Sequence, residues 1–230
     1  MKIELYTDKG KRNINEDYIF SKEIIQNSYL HVIADGMGGY SKGEVASKMA
    51  VEQIFDYLKE HKLQPSKEAI TKSIQGANEV LKEYRIANNI KLGTTIGGIH
   101  ISNDHAIIFW VGDVRIFLFR NKTLFFESQD HSLVNELKKD KALPDDWDVN
   151  KIKHVVTRSI SGNGQDFNPG IFETNILDDD IIIICSDGFL ESTDMNYIKK
   201  IAFEENINQN EILNKCQNSN DNASMIKIRF

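Results

Sequence analysis

The sequence predicts an α+β protein built as an antiparallel β-sandwich, with helices on both outer faces of the paired sheets in an αββα order. Three observations lead there: short apolar strand-like runs recur along the chain, several are joined by turns of two or three residues, and helical segments interrupt the series. Parallel neighbours need a dozen or more connecting residues, so turns this short make the sheets largely antiparallel.

From the N-terminus, residues 1–5 alternate apolar and polar side chains, and residues 30–34 form a short run rich in branched side chains. Two helices follow. Ser41-Lys42-Gly43-Glu44 reads as a capping box ahead of Val45, Met49, Ile54 and Leu58. The second helix is expected to begin near Pro65-Ser66; its Ile70, Ile74, Ala77, Leu81 and Tyr84 recur at intervals of four and three, an apolar stripe able to cover one sheet face. Strands are expected next at 94–101, 106–111, 115–120 and 123–126, with Ser102-Asn103-Asp104 and Asn121-Lys122 as turns. Residues 137–148, charged and interrupted by Pro144, read as a surface excursion. Strands at 172–176 and 181–185 flank the turn Leu177-Asp178-Asp179, a weaker helical region spans 196–217, and 225–230 is the last strand.

The 230 residues, 40% hydrophobic, suffice for one buried core, and a single domain spanning 1–230 is expected. A net charge of −6 argues against a nucleic-acid surface and against anionic membranes, both of which select basic patches. The two cysteines, Cys185 and Cys216, form no CxxC pair, which disfavours a zinc site or a disulfide framework and fits a reduced, cytoplasmic compartment. The longest apolar run, 181–185, is strand-sized, so no membrane-crossing segment is read.

The acids that end strands carry the chemistry. Asp35 follows the run 30–34 and precedes Gly36-Met37-Gly38-Gly39, while Asp187 follows 181–186 and precedes Gly188. Glycine there permits unusual backbone and lets a carbonyl approach a ligand, and hard divalent cations bind carboxylate and carbonyl oxygens together. Asp-Gly after a strand is also a common turn. Further acids sit at similar places, however: Glu16-Asp17 before Tyr18, Asp113 after 107–112, and Asp221 before 223–230. Turns alone do not account for all of them.

In order and wording these segments resemble the type 2C, or PPM, family of metal-dependent protein phosphatases. The matching segments are Arg12-Asn13-Ile14-Asn15-Glu16-Asp17, Asp35-Gly36-Met37-Gly38-Gly39, Gly93-Thr94-Thr95, Gly112-Asp113-Val114-Arg115, Asp130-His131-Ser132, Cys185-Ser186-Asp187-Gly188 and Asp221-Asn222-Ala223-Ser224. The DGMGG wording is that of bacterial members. The resemblance implies hydrolysis of phosphoserine and phosphothreonine by a hydroxide bridging two Mn²⁺ or Mg²⁺ ions. Asp35 would bridge the ions, the Gly36 carbonyl with Asp187 and Asp221 would complete the first, and Glu16 and Asp17 would hold the second directly or through water. Asp113 would bind a third, weaker ion together with Asp187, and Arg12 would clamp the phosphate. It further implies phosphoprotein substrates, an opposing serine/threonine kinase, a monomer, and a variable flap near 133–164. Val114 departs from the family's serine, and a looser local hydrogen-bond network is expected there. Met37 departs from the histidine of animal members. A catalytically silent phosphoprotein-binding module and a small-molecule phosphomonoesterase are the alternatives.

Overall fold

The computed structural model describes residues 1–37, 42–141, 147, 149, 152 and 154–230. One sheet is ordered β2 (Asp17–Ile25), β3 (Ser28–Gly36), β4 (Thr94–Ser102), β5 (His105–Val111) and β8 (Gly170–Asn175). The other is ordered β1 (Lys2–Asp8), β10 (Ala223–Arg229), β9 (Ile181–Cys185), β6 (Arg115–Arg120) and β7 (Thr123–Glu127). Every strand pairing in both is antiparallel.

Three apolar layers separate the four layers of structure. Helices α1 (Gly43–Glu60) and α2 (Lys67–Asn88) bury Ala50, Ile54, Ile70 and Leu81 against Leu30, Val32 and Phe109 of the first sheet. Between the sheets, Ile33, Ile99 and Ile108 meet Ile116, Ile182 and Ile226. Outside the second sheet, α4 (Asp187–Ser192), α5 (Met195–Phe203) and α6 (Gln209–Cys216) pack Phe189, Ile198 and Ile212 on Phe117, Ile183 and Met225. The alternating pattern of each strand thus feeds two cores at once. The short helix α3 (Leu133–Lys139) lies in the segment read as the flap and is capped by Ser132, whose side chain accepts from the Asn135 N–H.

Two readings need correction. The start of α2 is as expected, with Ser66 accepting from the Ala69 N–H, but the capping box expected for α1 is not what starts it. Lys42 occupies the N-cap in a left-handed conformation and makes no side-chain cap bond; Ser41 lies outside the described residues. The physical reason is proximity: a Cβ on Gly36 would come 2.5 Å from the Gly43 carbonyl carbon, so the first turn of α1 is pressed on the end of β3. Leu177-Asp178-Asp179 is not a hairpin turn, because β8 pairs with β5 in one sheet and β9 with β6 and β10 in the other, making this link a passage between sheets. Val114 packs in apolar surroundings. It is fully buried between the sheets, and Gly97 opposite leaves the room it fills, since a Cβ there would meet Val114 Cγ1 at 2.5 Å. Of the excursion expected at 137–148, residues 142–146 and 148 lie outside the described residues.

Two fully buried histidines sit in the first sheet, His31 paired with Ile99 on the inter-sheet face and His100 paired with Leu30 and Ile107 on the helix face. Each shares one hydrogen bond with a serine, His31 with Ser21 at 2.8 Å and His100 with Ser28 at 3.0 Å. Burial pushes both down to about 4. A histidine depressed in the folded state stays neutral there while the unfolded chain takes up a proton, so its contribution to stability falls as pH drops from about 6.5 toward 4. Urea unfolding of wild type and His100→Gln, compared between about pH 7.5 and 5, should show the wild-type advantage shrinking by up to about 1.4 kcal/mol per pH unit. The comparison cancels other titrating groups, and parallel curves would contradict it.

Candidate metal centre

The strand ends bring the predicted acids to one end of the sandwich. Asp17 opens β2 and stands directly opposite Asp35 near the end of β3, whose other neighbour in the ladder is Thr95 of β4. Asp113 lies in the short passage from β5 to β6, and Asp187 begins α4 immediately after β9. Asp221 precedes β10, with its carboxylate accepting from its neighbour's Asn222 N–H at 2.9 Å. A cleft of about 370 Å³ is lined by Arg12, Asp35, Gly36, Asp113, Asp187 and Asp221. Glu16 and Asp17 are not part of its lining; they stand next to it through Asp35 and Gly36, with the Gly36 N–H donating to the Glu16 carbonyl at 3.1 Å.

Several polar groups fix these positions. Ser186 Oγ donates to Asp17 Oδ2 at 3.0 Å. The Thr94 hydroxyl donates to the Asp35 carbonyl at 2.8 Å, and Ser47 Oγ donates to the Glu16 carbonyl at 2.7 Å. Asn222 is the main staple: its Oδ1 accepts from the Glu16 N–H at 2.8 Å while its Nδ2 donates to the carbonyls of Lys9 and Ile14. Gly36 and Gly188 do not adopt the left-handed backbone that the sequence reading allowed for. They are needed for close approach, Gly36 to Gly43, and Gly188 to the Asn222 carbonyl.

The electrostatics are those of clustered acids removed from water. Asp17 is pushed up to about 7 by burial and then by the charges of Asp187 and Asp221, despite hydrogen bonds from Ser224 and Ser186. Burial, with Asp187 beside it, pushes Asp113 up to about 7 as well. Asp35 is raised well above the usual carboxylate range by burial together with Asp17, Asp187 and Asp113, and Asp187 is raised by burial and Asp221. Glu16 is raised by burial, an effect that Arg12 opposes. Buried oxygens of Asp17 and Asp187 have no hydrogen-bond partner. Buried acids that repel one another and keep unsatisfied oxygens fit divalent cations, which supply the missing charge and take oxygen ligands. Among the described residues, no three Asp, Glu, His or Cys groups close into a ready cage for a single ion. The fit therefore rests on burial, unpartnered oxygens and the shared cleft.

Arg12 stands at the rim, its side chain 42% exposed, with Nη2 donating to Asp221 Oδ2 at 2.8 Å and Nε to the Asn220 carbonyl at 3.0 Å. Sequence reasoning missed His154, Glu191 and Asn220, which also line the cleft. They come from the segment between α3 and β8, from α4 and from the stretch before β10, and carry no local pattern. His131 serves the local framework: its Nδ1 accepts from the Gly112 N–H at 3.1 Å, and its ring stacks on Trp110. Cys185 is fully buried and burial pushes its thiol up, so it offers no thiolate.

A fold of this topology with acids gathered at the strand ends defines a phosphatase class, and the sequence profile of the family described as protein phosphatase 2C matches residues 9–219. The chain belongs to that family and is a protein serine/threonine phosphatase. It is 32% identical over 211 residues to the serine/threonine phosphatase stp of Listeria welshimeri, covering 87% of this chain and 83% of that one. The S. agalactiae serine/threonine phosphatase superposes with a TM-score of 0.86 at 28% identity, over 99% of this chain and 98% of the other. The catalytic domain of the serine/threonine protein phosphatase PstP, solved in complex with two manganese ions, shares the fold at a TM-score of 0.80 and 19% identity, over 98% of this chain and 96% of that one.

Repulsion among unneutralised acids costs stability, so Asp35→Asn should raise the melting temperature in chelator, by about 2–4 °C for each kcal/mol relieved. The same variant should lose most of the stabilisation that Mn²⁺ gives the wild type. Thermal unfolding with EDTA and with Mn²⁺ checks both, and an Asp35→Asn protein that is still stabilised by Mn²⁺ as strongly as wild type would exclude Asp35 as a ligand.

Proposed function

We propose that this phosphatase holds two Mn²⁺ or Mg²⁺ ions at the end of its sandwich and uses them to hydrolyse phosphoserine and phosphothreonine in proteins. The observation that carries the reading is the gathering of Asp35, Asp113 and Asp187 on one cleft, with Asp17 directly beside Asp35 and an arginine at the rim, each of the four acids raised by removal from water and by neighbouring carboxylates. In this reading Asp35 would be shared by the ions, the Gly36 carbonyl, Asp187 and Asp221 would hold one, and Glu16 and Asp17 would hold the other directly or through water. Asp113 with Asp187 offers a third, weaker position. Ions bound there would acidify water and neutralise phosphate charge, as two-ion sites do.

The protein's own groups do the rest. Arg12 binds the phosphate: Asp221 and the Asn220 carbonyl orient the guanidinium through Nη2 and Nε, leaving Nη1 for a phosphate oxygen. Met37 lines the cleft but cannot donate a proton to the departing serine or threonine oxygen, so that proton comes from solvent in the site. The catalytic unit is read as 1–230 with the flap at 133–164, and as a cytoplasmic monomer opposing a serine/threonine kinase. Among the described residues no helix is long and apolar enough to cross a membrane.

Turnover of a phosphothreonine peptide should vanish in EDTA and return with Mn²⁺ or Mg²⁺; full activity after metal stripping would sink the proposal. Arg12→Ala should lower kcat/KM about tenfold to a hundredfold, the size of a charge-assisted contact, with Arg12→Lys restoring only part. Mn²⁺ titration of each variant separates the two roles open to Arg12. Unchanged metal affinity is expected, whereas a large loss would mean that Arg12 serves mainly to hold Asp221.

A further inference from the structure

We propose that the loop 9–12 is a substrate platform that selects phosphorylated segments carrying acidic residues on one side of the phosphoserine or phosphothreonine. The inference rests on the reading of the cleft as the phosphatase site and names the substrates that site prefers.

The loop is fixed in place. Gly10 has φ +57 and lies so close to the next chain segment that a Cβ would come 2.5 Å from the Asp221 carbonyl oxygen and 2.8 Å from that of Ser219. The Lys11 N–H donates to the Ser219 carbonyl at 3.0 Å, and Asn222 Nδ2 donates to the Lys9 carbonyl at 3.0 Å. The Lys11 ammonium is held 3.3 Å from Asn220 Oδ1, and Asn220 lines the cleft beside Arg12. Lys9 and Lys11 are exposed, and among the described residues the one ion pair of this loop is that of Arg12 with Asp221. Lys11 therefore stands beside a residue of the cleft lining, and Lys9 lies two positions away on the same fixed turn, where the Asp8 carboxylate accepts from the Gly10 N–H at 2.7 Å; among the described residues neither lysine has a carboxylate partner.

The opposite flank has the other sign. Past Asp113 and Asp187 an adjoining hollow is lined by Asp130, Leu190 and Glu191; Asp130 is paired with Arg115 at 3.7 Å, and Glu191, 3.5 Å from His154, also lines the cleft itself. In a chain of net charge −6, the lysines of the turn and the carboxylate of Glu191 give the two parts of the site opposite signs. Charge patterns of this kind set orientation and partner choice more than raw affinity. A segment threaded across the mouth is favoured when its carboxylates fall on the lysine side, and it is repelled when they fall beside Glu191.

The test compares phosphothreonine peptides with glutamates on the N-terminal side, on the C-terminal side, or replaced by lysines, using wild type and Lys9→Glu/Lys11→Glu with Mn²⁺. Wild type should show a kcat/KM preference for glutamate on one side only, about two- to fivefold for each lysine, shrinking at raised ionic strength. The double variant should lose or invert that preference while hydrolysing p-nitrophenyl phosphate like wild type. Equal rates on all peptides, a preference unchanged in the double variant, or loss of p-nitrophenyl phosphate turnover in it would each overturn the platform. Failure of the underlying phosphatase reading looks different: wild type would then show no Mn²⁺-dependent turnover of any peptide.

Discussion

The structure depends on holding like charges together where water cannot screen them. Asp17, Asp35, Asp113 and Asp187 gather half-buried at one end of the sandwich, and each is harder to ionise because it is partly removed from water and has another acid beside it. No surface loop could impose this. Carboxylates on flexible segments would swing into solvent, but here each is fixed by a strand end, and the strands are locked by three apolar layers. The energy stored in that repulsion is what a divalent cation bound there would release, in the reading proposed above. Fold and metal centre are thus two aspects of one balance, with the isoleucine-rich core supplying the rigidity and the acids supplying the affinity.

The same economy explains the departures from the family's wording. Next to Asp113, Val114 fills the space opposite Gly97 and belongs to the apolar layer between the sheets. Met37 contributes a wall of the cleft and a backbone N–H that donates to the Gly93 carbonyl at 3.0 Å, which keeps the segment after Asp35 tied to the start of β4.

Much of this was legible in the sequence, for local reasons. The strand runs at 115–120 and 181–185 coincide with β6 and β9 because branched residues in short bounded runs have few other options. Asp35 and Asp187 stood out because an acid and a glycine follow an apolar strand. What was hidden depends on contacts distant in sequence. The uncapped start of α1 follows from Gly36 touching Gly43, the passage at Leu177-Asp178-Asp179 follows from sheet membership, and the staple role of Asn222 joins segments some 200 residues apart. His154 and Glu191, far apart in sequence, meet at the cleft 3.5 Å from one another. None of these leaves a periodicity or a motif.

The central claim is that buried, partly protonated carboxylates are completed by cations, and calorimetric titration of the metal-stripped protein with Mn²⁺ near neutral pH, in buffers of different ionisation enthalpy, tests it most directly. The account predicts saturable binding of two ions per chain, accompanied by proton release as acids such as Asp17 and Asp113 lose the protons that burial had retained. Binding with no buffer-dependent heat, or no binding in the millimolar range, would contradict it.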